Sequence, residues 1–280
     1  MTADRLIAYA LRGWFLIALL FIFVPIIINF IYSFSPGRFP TLPLGGFSTG
    51  WYELILNEAP VPRAFGNSIK AGVIVSVVST FIGFAAAYTD YRYRFFGKNF
   101  YLALALLPPT IPVLILGLVM LMYLSRISLV GELHSVVISH VVYCIPFAMA
   151  LTRLRLAQIN PDLEAAAWNL GANSWRAMVF VILPWVFPSI LAALALTMAV
   201  SFDEYMIAFF TGGLTETLPV RVLALLQGQV SPRINAIGSV VFTISMALVI
   251  LAQILLLTRR SSERREAAGG KEACRNLYWY

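Results

Sequence analysis

Met178–Val200 reads MVFVILPWVFPSILAALALTMAV, twenty-three residues without one charged side chain. An α-helix rises 1.5 Å per residue, so about 20 apolar residues span the roughly 30 Å hydrocarbon core of a bilayer. In lipid every backbone N–H and C=O must be satisfied within the structure, which leaves helices and closed barrels. The stretch therefore reads as a transmembrane helix. Outward from it, windows of about 19 residues mark further apolar runs at Trp14–Phe34, Ser68–Asp90, Phe100–Leu124, Ser135–Leu154 and Ala236–Leu257. The fold class expected is an all-α membrane protein of about six transmembrane helices. Composition agrees: 60% of residues are hydrophobic and 12% charged, against roughly 25% charged in soluble domains. The run at Trp14 exceeds a signal-peptide core and lacks a small-residue cleavage site, so it reads as a retained span.

The net charge of +7 does not point to nucleic acid, because the basic residues fall between apolar runs rather than along one face. Arg5, Arg12, Arg92, Arg94, Lys98, Arg153, Arg155, Arg176, Arg259, Arg260, Arg264, Arg265, Lys271 and Arg275 cluster on one side of the expected bundle, and only Arg38, Arg63, Lys70, Arg126, Arg221 and Arg233 on the other. By the positive-inside rule both termini are expected in the cytoplasm. The organisation expected is a cytoplasmic arm over 1–13, a transmembrane domain over 14–258 with a protruding loop at 157–177, and a basic cytoplasmic tail over 259–280. Cys144 and Cys274 imply no disulfide framework.

That loop is the longest cytoplasmic connection. Asn160 before Pro161 reads as a helix cap with proline in the first turn, where Asp162 and Glu164 complement the helix dipole. Leu163, Ala165, Ala166, Ala167 and Trp168 continue the helix, Gly171 suits its end, and Asn173 or Ser174 caps a second one. Leu163, Trp168, Leu170 and Trp175 are apolar anchors. The residues leave two readings open, a helix docked in a partner's groove or an amphipathic pair lying on the membrane.

Leu163-Glu-Ala-Ala-Ala-Trp-Asn-Leu-Gly171 followed by Val181-Ile-Leu-Pro184 resembles the "EAA" loop of the permeases of type I ATP-binding-cassette (ABC) importers. Gly171, Val181, Leu183 and Pro184 fall in the family register. The family glutamate falls on Ala165, with the acid one residue earlier at Glu164, about 100° around a helix. The resemblance extends to Phe65-Gly-Asn67-Ser68 and to Gly83 with Ala85, Ala86 and Ala87, small residues that allow tight helix contact. Ser201-Phe-Asp203-Glu204, Phe210-Thr-Gly-Gly213, Leu218-Pro219 and Val230-Ser-Pro232-Arg-Ile-Asn235-Ala236 are similar to the spermidine/putrescine permease branch, its C-type subunit in particular. The resemblance implies a non-enzymatic transport subunit of the bacterial inner membrane. It further implies a second permease subunit, preferably a paralogue, two cytoplasmic ABC ATPase subunits and a periplasmic solute-binding protein. Coupling to the ATPase would fall on Leu163, Glu164, Ala165, Ala166, Ala167, Trp168, Leu170 and Gly171.

Asp203 and Glu204 follow the fifth span at or near bilayer depth, where an ionisable group is costly unless it faces an aqueous path or a partner. With Phe202, Tyr205, Phe209 and Phe210 they form a candidate solute path suited to an elongated ammonium compound, since aromatic faces attract cations within about 6 Å. An acid pair merely solvated in the interface, or paired with Arg221 or Arg233, remains the competing reading. Pro108, Pro109 and Pro112 in span three and Pro146 in span four are candidate kinks. His134 and His140 make no metal-ligand cluster. No phosphate-cradling Gly-x-x-x-x-Gly-Lys run occurs, so no cofactor is expected in this chain and ATP with Mg belongs to a partner. An intramembrane enzyme would need facing catalytic groups that spans one to four do not supply. A secondary transporter would more often show inverted repeats, and amino acids, sugars or ferric iron stand as alternative solutes.

Overall fold

A computed structural model describes residues 3–37, 45–58, 60–228 and 232–247. Among them the regular elements are helical, with no strand. In chain order they are α1 (Ala3–Tyr32), α2 (Gly50–Asn57), α3 (Pro60–Arg92), α4 (Lys98–Leu106), α5 (Val113–Arg126), α6 (Leu133–Leu156), α7 (Pro161–Asn169), α8 (Ser174–Ala177), α9 (Leu183–Asp203), α10 (Met206–Thr211), α11 (Leu218–Gly228) and α12 (232–247). Four helical stretches are long and apolar enough to cross a membrane: Ile7–Tyr32, Pro60–Arg92, Leu133–Leu156 and Ser174–Asp203. They match four of the expected spans, and most run past the apolar windows because a helix, once nucleated, propagates into flanking polar residues. The sixth expected span is described only to residue 247, and the tail over 259–280 lies outside the described residues.

The third expected span, Phe100–Leu124, is not one helix. Pro108, Pro109 and Pro112 supply no backbone N–H, and their rings clash with the preceding turn. The chain accordingly breaks into α4, a 3-10 turn at Pro108–Thr110 and α5, with Ile111 extended between them. Pro25, Pro146 and Pro188 instead stay inside α1, α6 and α9. The fifth span is continuous from Ser174 because α8 passes into α9 through a π turn at Met178–Ile182, with backbone bonds five residues apart instead of four.

The chain forms two compact units, residues up to Arg63 with Arg221–Ile244, and Ala64–Val220. In the first, Asn29 of α1 donates to Ser239 Oγ (3.3 Å) and to the Asn235 carbonyl (3.4 Å) of α12, a polar tie of the kind that joins helices in lipid. The turn after α1 is pinned by Trp51 Nε1 donating to the Ser35 carbonyl at 2.8 Å and by Phe34 stacked on Phe47. Arg233 pairs with Glu58.

The second unit is built on α6 and α9 with α3, α5 and α10 around them. Ala87, Met149, Leu156, Ile159, Ile182 and Val186 form one buried cluster, and Leu116, Met120, Leu124 and Ile207 another. Glycine sets the α3–α6 approach: a Cβ at Gly83 would lie 2.7 Å from Ala148 Cβ and 2.8 Å from the Met149 nitrogen. The small-residue stretch noted around Gly83 is thus a helix-packing seam.

Candidate functional site

The 157–177 loop is a helix, a turn and a helix, as its residues dictate. Asn160 Oδ1 accepts the Asp162 N–H at 3.0 Å, Pro161 opens α7, and Asn173 Oδ1 accepts the Arg176 N–H at 2.8 Å to start α8. Gly171 sits at φ +83° with open space around its missing side chain, so backbone conformation alone selects glycine. The Ala172 N–H returns to the Ala167 carbonyl at 3.0 Å, closing the end of α7.

One acid of the loop, Glu164, is buried, while several of its apolar side chains are exposed. Glu164 is 4% exposed, with its carboxylate 3.0 Å from Arg92 Nη1 at the end of α3. The Arg92 guanidinium lies 4.6 Å from the Trp168 ring centroid. Glu164 and Trp168 are four residues apart and share a helix face. Leu163, Ala165, Ala166 and Leu170 are exposed, Leu170 almost completely, and Trp175 likewise; Ala167 is half-buried. The end of α3 is fixed further by Asp90, a buried carboxylate 2.6 Å from Arg153 Nε and 3.1 Å from Lys98 Nζ. Arg155 stacks on Trp185 at 4.4 Å and donates to its carbonyl at 3.2 Å. These cations read in the sequence only as markers of orientation; their pairing needs helices distant in sequence to meet.

The acid pair is split. Asp203, the last residue of α9, is exposed, whereas Glu204 is half-buried and its Oε1 accepts the Ile207 N–H at 3.1 Å, capping α10. Phe202 is buried edge-on to Phe65 at 6.1 Å. Phe210 turns inward against Gly117, where a Cβ would meet its ring at 2.9 Å. Tyr205, Phe209 and Phe210 form a row with centroids 5.6 Å and 5.4 Å apart, of which Phe209 is exposed. Of the six residues expected to line a path, Asp203 and Phe209 are exposed, Glu204, Tyr205 and Phe210 are half-buried and Phe202 is buried.

Sequence reasoning gave His140 no role. It is fully buried in α6, with Nδ1 3.0 Å from Ser201 Oγ, two residues before Asp203. The start of α3 is tied to the segment beyond α10, Asn67 donating to the Glu216 carbonyl (3.0 Å) and Ser68 Oγ accepting the Leu218 N–H (2.8 Å). Among the described residues no cluster of three or more His, Cys, Asp or Glu is placed to hold a metal.

Residues 79–265, from within α3 through the loop and α9 onward, match the family model of the binding-protein-dependent transport system inner membrane component. The chain belongs to this family. With its four apolar crossings this inner membrane component is a multi-pass membrane protein. It is 29% identical over 252 residues to the spermidine/putrescine transport system permease protein PotC of Escherichia coli (strain K12), covering 89% of this chain and 95% of the relative. It is 27% identical over 234 residues to the putrescine transport system permease protein PotI of the same organism, covering 81% and 83%. Among solved structures, a bacterial ABC transporter involved in the import of the acidic polysaccharide alginate superposes with a TM-score of 0.72 at 15% identity, covering 91% of this permease and 96% of that chain. At that identity the likeness is one of fold.

Proposed function

We propose that this importer subunit carries a polyamine across the inner membrane and is driven by separate ATPase subunits docked on its 157–177 loop. The observation that carries the docking is the apolar surface of α7 and its C-cap, where Leu163, Ala165, Ala166 and Leu170 face outward while Glu164 is buried against α3 and Asp162 stays exposed in the first turn. A helix lying on a membrane would still keep its polar face in water, whereas a helix seated in a protein groove offers small and apolar anchors. In this reading the loop is the EAA coupling element. Both termini lie in the cytoplasm with it, and ATP and Mg are bound by the partner. A second permease, preferably a paralogue, completes the path, and a periplasmic binding protein delivers solute.

The polyamine assignment is supported by likeness to PotC and PotI along most of the chain. An exposed carboxylate at Asp203 beside the Tyr205–Phe209 aromatic pair adds to it. A diammonium chain suits a carboxylate flanked by ring faces. The test is to purify the subunit with its ATPase and companion permease and to replace Leu170 by Asp. The expected result is loss of the ATPase from the purified membrane complex with the permeases still inserted. Retention of the ATPase by the variant would remove the loop from the docking surface, and uptake of only neutral or anionic solutes by the unaltered importer would overturn the polyamine reading.

A further inference from the structure

Glu164 of the coupling loop stands one residue away from the position the family pattern expects, and its geometry gives that shift a consequence. Ala165, at the pattern position, is exposed and neutral. Glu164, about 100° further round the helix, is turned inward, 4% exposed and in ionic contact with Arg92. Arg92 is the last residue of α3 and is held by the Glu164 carboxylate at Nη1 and by the Trp168 ring, one turn along α7, against its guanidinium. Two residues back, Asp90 ties the same helix end to Arg153 of α6 and to Lys98 at the start of α4.

We infer that Glu164, Arg92 and Trp168 form a strut fastening the coupling helix to α3, so that movement of the docked α7 is passed to α3, and through Asp90 to α6 and α4, as well as along the chain into α9. Glu164 is then a positioning residue rather than a contact for the ATPase. The inference rests on the docking of an ATPase at this loop. Glu164 is buried and Arg92 partly so, and removal of Arg92 would leave the glutamate charge buried and uncompensated. Guanidinium stacking adds a planar constraint that a point charge would not supply.

The test uses the whole importer, its ATPase, companion permease and binding protein included, in lipid nanodiscs. Spin labels are placed at the exposed positions Tyr93 and Asn169, and the distance between them is measured nucleotide-free and with ATP and vanadate. A parallel Leu170→Cys sample is crosslinked to the ATPase. With the strut in place the label distance is narrow and shifts by no more than about 2 Å between the two states, the scale of packed helices moving together. Glu164→Gln is expected to broaden it or shift it by about 5 Å or more, a helical turn, and the exchanged pair Arg92→Glu with Glu164→Arg to narrow it again. A Glu164→Gln distribution that matches the unaltered one in both width and position in both states, or an exchanged pair that departs from the unaltered distribution as far as Glu164→Gln does, would overturn the strut while crosslinking stands. Absence of any crosslink in the Leu170→Cys importer with its strut intact would overturn the docking reading, and the inference with it.

Discussion

Gly171 and the acid pair show how far single residues constrain this protein. Gly171 has room for a side chain but not the backbone freedom for one, since φ +83° costs an L-residue about 1–2 kcal/mol. Gly171→Ala is therefore expected to loosen the turn between α7 and α8 modestly, and Gly171→Asp to add a charge beside the docking surface. The check is ATPase retained per permease, with Asp losing more than Ala. For the acids, a solvated charge contributes about 1 kcal/mol or less, which corresponds to less than about tenfold in uptake. Asp203→Asn is expected to lower polyamine uptake within that bound. Glu204→Gln keeps an oxygen for the Ile207 N–H and is expected to be mild, whereas Glu204→Ala removes the cap of α10 at about 1 kcal/mol. Comparing spermidine uptake with membrane-inserted protein for the three variants separates the roles; equal losses from Gln and Ala at Glu204 would assign it to charge and not to capping. Adjacent acids look equivalent in a sequence, and the distinction between them arises only from where α9 stops and α10 begins.

At the scale of elements, close approach and helix breaks do most of the positioning. A side chain at Gly83 would overlap Ala148 and the backbone of Met149. Gly83→Val is expected to force α3 away from α6 at about 1–3 kcal/mol, read as a lower midpoint of thermal inactivation in detergent. The helix caps at Asn160 and Asn173 were legible because a cap is a local interaction between residues two or three apart. The break in the third span was legible in its cause, Pro108 to Pro112, but a hydropathy window averages across a break and reports one crossing. Hidden altogether was the ionic fastening around Asp90 and Arg92, whose partners lie some sixty and seventy residues downstream in sequence at Arg153 and Glu164. No periodicity encodes such a meeting.

For the molecule as a whole, the excess of Lys and Arg on alternate connections remains the guide to direction across the bilayer. A cysteine introduced at Asn173, exposed in the loop, is expected to resist an impermeant maleimide in intact cells and to react after the inner membrane is opened. Labelling in intact cells would reverse the orientation and take the docking site to the wrong side of the membrane. Overall class and loop design were readable because lipid imposes one rule on every backbone amide, while the solute is a property of few side chains whose neighbours are set by tertiary packing. The π turn at Met178–Ile182 bears on how such a chain can change length. A turn closed five residues apart already accommodates one residue more than a regular turn. A single-codon deletion within it can be absorbed as an ordinary α-helical turn, leaving Val186, Thr197 and Ser201 on their buried face. The same deletion farther along α9 would rotate every later side chain by about 100°. A one-residue deletion is therefore tolerable at this turn and disruptive only a few residues beyond it.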